Sequence, residues 1–122
     1  MAEWSFTTQG SPPRRIDIKI DGEIQIDDAK GAAERLARIL GRTPESVAVV
    51  IDMRSLRGYP VSARDHWSDM MKAHRPKFRM VVWITAKTTY RMVARAVGLF
   101  TGIPTLVVDD PQQIDEAKLY AH

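Results

Sequence analysis

The chain predicts an α/β domain with element order β-β-α-β-α-β-α-β-α, built on a mixed, mostly parallel sheet with an antiparallel opening hairpin. Three observations carry this. Near the start, residues alternate strictly between polar and apolar. Further on, apolar runs are continuous and strand-sized, as expected of strands covered on both faces. Between those runs lie segments with helical periodicity.

Glu3-Trp4-Ser5-Phe6-Thr7-Thr8 has a period of two and predicts the first strand, and Gly10-Ser11-Pro12-Pro13 a turn. Arg15-Ile16-Asp17-Ile18-Lys19-Ile20 predicts the second strand, closed by a turn at Asp21-Gly22. Asp27 or Asp28 is placed to cap the first helix, whose apolar side is Ala29, Ala32, Ala33, Leu36, Ile39 and Leu40 and which Gly41 closes. Val47 to Ile51, Met80 to Ile84 and Thr105 to Val108 predict covered strands.

Ser62-Ala63-Arg64-Asp65 reads as a capping box for the second helix, which runs to about His74 and is stopped by Pro76. Thr88 or Thr89 starts the third helix, and Gly102 ends it. There Tyr90, Val93, Val97 and Phe100 are expected to face the sheet, with Met92, Ala96 and Leu99 on another side. Asp110-Pro111 opens the last helix, with Ile114, Ala117 and Leu119/Tyr120 on its apolar side. No repeat or linker divides residues 1–122, so one domain is expected.

Composition narrows the function. The chain has no cysteine, which removes disulfides, thiol catalysis and thiolate metal sites and fits a reducing, cytoplasmic setting. MAEWSFTTQG has neither a basic start nor an apolar core, so no signal peptide is expected, and no apolar run is long enough for a membrane span. The net charge of +3 is unevenly spread: Arg54 to Arg95 holds ten Lys/Arg against Asp65 and Asp69. That middle third is expected to attract an acidic patch or an anionic ligand.

Each candidate constellation has a competing structural reading. Asp52 ends a covered strand, where open α/β sheets place ligand sites, yet the acidic pair of a phosphoreceiver is absent. The alternative is a carboxylate that accepts backbone N–H groups and shapes the following loop. Arg57-Gly58-Tyr59-Pro60 is no phosphate cradle, having one glycine and no G-K-[ST] ending. Ser62, Asp65 and His66 do not make a triad, because Asp65 lies about 100° around the helix from His66. His66, Met70 and His74 form a stripe better suited to packing than to metal. No acid, base and nucleophile converge, so no enzyme, cofactor or metal is expected. Sequence-specific nucleic-acid binding is not expected either, since no recognition motif is present.

Lys87, Arg91 and Arg95 share one helical face and are the candidate docking cations. A groove between the second and third helices near Trp67, Met70, Met71 and Leu99 is the candidate contact for a partner or an apolar ligand.

The order of elements, together with VAVVIDMRSLRGYPVSARDH, resembles the STAS domain of bacterial anti-sigma-factor antagonists and sulfate transporters. That family has an apolar strand ending in aspartate, a short loop, and a serine or threonine at a helix start that a partner kinase phosphorylates. Val49 to Leu56 matches the strand-and-loop half, and Ser62 lies nearest the phosphoacceptor. "AHRPKFRMVVWIT" and "PTLVVDDPQQIDEAKLY" are similar to the stand-alone branch related to lipid-transfer domains. The family's serine follows an aspartate and precedes small residues and a glycine, whereas Ser62 follows Pro60-Val61. The resemblance therefore implies a non-catalytic regulatory or binding module, with Asp52 and Ser62 as a candidate regulatory corner. It also implies a bacterial, cytoplasmic setting, a protein or small-molecule partner, and self-association as one option.

Overall fold

The structure is a computed structural model that describes residues 1–120, the side chains of Ala117 and Tyr120 excepted. Five strands lie in the order in which they occur, β1 (Glu3–Gln9), β2 (Arg15–Glu23), β3 (Val47–Gly58), β4 (Phe78–Ile84) and β5 (Thr105–Val108). β1 and β2 pair antiparallel, with Trp4 opposite Ile20 and Phe6 opposite Ile18, and the remaining pairs are parallel. This is the predicted mixed sheet.

Strand order fixes where the helices go. Each parallel crossover advances one strand in the same direction, so right-handed connections put all three crossover helices on one face. These are α1 (Ile26–Gly41), α2 (Val61–Ala73) and α3 (Thr88–Thr101). They share the larger core with Ile16, Ile18, Val49, Ile51 and Val81. A smaller core covers the other face, where Ala48, Val50, Val82 and Ile84 pack against Ile114 and Leu119. Leu119 belongs to α4 (Glu116–Tyr120), and Arg15 on β2 holds that helix through Glu116 at 2.6 Å. The central strands are thus covered on both sides, which explains their unbroken apolar runs.

Five local expectations need correction. The second strand does not turn at Asp21-Gly22; it runs to Glu23, with Gly22 opposite Leu56 and Glu23 opposite Gly58. Gly22 adopts φ +106°, which only glycine takes at low cost, so the strand bends there without ending. Its partner β3 likewise continues past Ile51 to Gly58. Met53 and Leu56 are buried while Arg54 and Arg57 are exposed, so the polar residues read as a loop are the wet side of a strand.

Helix starts differ too. α1 is capped from Gln25, whose N–H donates to Asp28 at 2.8 Å, so Asp28 bonds back from the third helical position. α2 starts from Pro60, whose carbonyl accepts from Ala63 and Arg64 at 3.1 and 3.3 Å. Ser62 is therefore an exposed second helical residue and makes no capping bond, and Asp65 meets Arg64 instead. Finally, Asp110 and Pro111 open a 3₁₀ turn, Pro111–Gln113, and not the last helix. Asp110 accepts from the Gln112 N–H at 2.8 Å, and extended Ile114 separates this turn from α4. The expected placement of the Ala117 and Tyr120 side chains lies outside the described residues.

Candidate docking face and apolar cavity

Asp52 and Ser62 are not one corner. Gly58, where the strand ends, lies six residues beyond Asp52, about 20 Å of extended chain. By the pleat, Asp52 shares the face of Ala48 and Val50, the α4 side, whereas Ser62 opens a helix on the opposite face. The Asp52 carboxylate accepts from the Arg54 backbone N–H at 3.0 Å and from the Arg54 guanidinium at 3.0 and 2.7 Å. Burial pushes its pKa up, but these bonds and the charges of Arg54 and Lys19 outweigh that and hold it below the ordinary value. The carboxylate shapes its own strand, as its structural reading requires. Neither Asp52, Ser62 nor His66 lines the apolar cavity described below. Among the described residues, no group of three His, Asp or Glu is placed to hold a metal.

The three cations of α3 take different roles. Arg91 donates to the Thr85 carbonyl at 3.0 Å and pairs with Asp109, tying α3 to the loop after β5. Lys87 lies over the Tyr90 ring, 4.4 Å from its centroid. Arg95 is exposed and makes no hydrogen bond or ion pair among the described residues.

The apolar candidates divide between inside and outside. Trp67 and Met71 are buried, and Met70 is half-buried against the core. The Trp67 indole donates to the Ala29 carbonyl at 2.9 Å and stacks on Trp4 at 5.2 Å between ring centroids. Leu99 is 87% exposed, Met92 63% and Phe100 50%. Phe100 was expected to face the sheet; instead it lies outside with Lys72 over its ring at 4.4 Å. Phe100 sits on the α2 side of α3, lining the groove between the two helices.

Two concavities follow from this packing. One is an apolar cavity of about 70 Å³ under α2 and α3, lined by residues that include Trp67, Met71, Tyr59, Tyr90 and Trp83. Tyr59 and Tyr90 meet at 5.5 Å between centroids. Burial raises the Tyr59 phenol above its ordinary pKa; Arg64 pulls the other way, and Tyr90 adds to the rise. The Trp83 indole N–H is buried without a hydrogen-bond partner among the described residues. The other concavity is an outer groove of about 400 Å³ between α2 and α3, where Asp65 and Asp69 stand opposite Val93, Ala96 and Phe100.

Sequence reasoning found the two helices but missed Trp4, Tyr59, Trp83 and Tyr90 as cavity walls. Tyr59 was hidden in an apparent loop, and Trp4 reaches the cavity only through the β1–β2 pairing. The one available signal was the number of aromatics placed on strands and strand ends.

The fold is that of a STAS-like domain. The chain belongs to the SpoIIAA-like family, whose sequence profile matches residues 15–121. This bears out the resemblance to anti-sigma-factor antagonists; β1 lies outside the match. An uncharacterised DUF3478-family protein with a SpoIIAA-like fold from Shewanella loihica superposes with a TM-score of 0.71 at 16% identity, covering 91% of this chain and 88% of its own. Apo-SiaC from Pseudomonas aeruginosa gives 0.57 at 10% identity, with 75% and 81% covered. An anti-sigma factor antagonist from Mycobacterium paratuberculosis gives 0.56 at 14% identity, with 92% and 89% covered. At these identities the likeness is one of fold. No curated protein is significantly similar in sequence. Among the described residues, no helix is long and apolar enough to cross a membrane.

Proposed function

We propose that this domain is a non-catalytic regulatory module that works by docking a protein partner on the outer face of α2 and α3. The carrying observation is the exposure of Leu99, Met92 and Phe100 on one helix, beside the unpaired Arg95. Apolar side chains clustered in water on an otherwise well-buried domain mark contact surfaces. Arg95 and Lys87 favour a partner that brings carboxylates. Kinship with a fold that includes an anti-sigma factor antagonist supports the same reading. Asp52 keeps a structural role in it, while Ser62 lies on the accessible side. A photo-crosslinking residue at Leu99 is expected to give a discrete protein adduct in cells, and one at Lys30 on α1 none. Equal adducts at both positions, or none at Leu99, would contradict the face.

A second reading rests on the orphan Trp83 N–H beside an apolar cavity. A buried donor without an acceptor costs about 1–3 kcal/mol. An apolar molecule carrying one acceptor oxygen would relieve that cost once α2 and α3 part to admit it. Native mass spectrometry after mild purification is expected to show a co-purifying small-molecule mass under this reading. A clean apo mass, with no thermal shift across a lipid panel, would contradict it.

A further inference from the structure

The groove between α2 and α3 has two unlike walls. α3 supplies Val93, Ala96, Val97 and Phe100, and α2 supplies Asp65 and Asp69 together with Ser68 and Arg64, so the α2 wall carries two carboxylates against one guanidinium. Asp69 has no hydrogen bond or ion pair among the described residues, and Asp65 meets only its chain neighbour Arg64, at 3.3 Å. The groove therefore suits an apolar ridge that carries a cation. Such a ridge exists on this same molecule. Met92, Arg95 and Leu99 stand in line on exposed α3, spaced i, i+3, i+7. The ridge cannot fill its own groove, because the two point about 100° apart around the helix axis.

We propose that the partner of this face is a second copy of the chain, with each Met92-Arg95-Leu99 ridge seated in the other's groove. This rests on the docking reading above and names its occupant. Charge decides the symmetry. If the two α3 helices run in the same direction about a twofold axis along them, Ala96 faces Ala96. The groove side of each copy then meets the ridge side of the other, so Arg95 reaches the partner's Asp69 and Asp65 twice over. In an antiparallel arrangement about a perpendicular twofold, acidic wall would meet acidic wall and Arg95 would meet Arg95, which is repulsive. The small side chain of Ala96 at the crossing lets the helices approach closely.

The test is sedimentation of the full chain over a concentration series. The wild type is expected to dimerise reversibly. R95D and D69R, both at exposed positions, should each weaken the dimer by about 10-fold or more with unchanged circular dichroism. An equimolar mixture of the two variants should recover a heterodimer, because each carries the charge that the other's altered site requires. A wild-type dimer with no recovery on mixing would overturn the arrangement. A wild type monomeric at every concentration would overturn the second copy as partner. In that case a Leu99 crosslink to a different protein leaves the docking reading standing, and the absence of any adduct removes both.

Discussion

Asp28 shows how much one side chain settles. Its carboxylate accepts from the Gln25 N–H at 2.8 Å, the Trp4 indole at 2.8 Å and the Ala2 N–H at 3.3 Å. One residue thereby caps α1 and fastens β1 across it, with Trp4 set to stack on Trp67. Asp28→Ala is expected to lose about 1–3 kcal/mol in urea unfolding followed by tryptophan fluorescence, and Asp28→Asn less. No measurable loss would mean that β1 holds without this tie. Asp52 makes a pH-dependent prediction. Its folded pKa lies below the unfolded value, so its stabilisation is complete above the ordinary aspartate pKa of about 3.9 and is lost as pH falls through the folded value. The stability gap between wild type and Asp52→Asn should therefore stay constant near neutrality and narrow below about pH 4. A gap that persists unchanged into acid would show that the carboxylate is not held in its charged form.

At the scale of elements, α3 is set by two glycines. Gly98 lets the helix lie against β5; a Cβ built there would stand 2.3 Å from Thr105 Oγ1. Gly102 closes the helix at φ +72°. Gly98→Ala is expected to cost about 1–3 kcal/mol, read from the urea midpoint, with relief in Gly98→Ala/Thr105→Ala. A neutral Gly98→Ala would place α3 further from the sheet. The sequence announced α3 fully, from its threonine start to Gly102, because a strong apolar period and a glycine stop coincide there. It announced β3 only halfway. In residues 53–58 the buried positions, Met53 and Leu56, are three apart because the register with β2 shifts there, so no period of two marks the strand, and Arg54, Ser55, Arg57 and Gly58 carry the composition of a loop. Their pairing with β2 is a long-range fact. Ser62 misled for a related reason: a serine three residues before an acid suggests a cap, yet Pro60 already supplies the extended residue and the carbonyl that start the helix. The basic stripe was legible as a period and illegible as a surface, since only tertiary structure brings Asp109 to Arg91.

At the scale of the molecule, the two sheet faces are covered unequally. Sequential strand order puts α1, α2 and α3 on one side, and among the described residues a short turn and α4 cover the other. The helical side carries the cavity, the groove and the exposed apolar ridge; the α4 side carries Asp52 with its own arginine. On the docking reading proposed above, the helical side is the surface offered for contact. Hydroxyl-radical footprinting of Met92, Leu99 and Phe100 inside cells tests that claim without knowing the partner. Purified dilute protein gives the uncovered rate, and Phe6, on β1 beneath Arg35, serves as internal reference. The α2–α3 side chains are expected to label several-fold more slowly in cells, with Phe6 unchanged. Equal labelling of Met92, Leu99 and Phe100 in both settings would mean that nothing docks on this face.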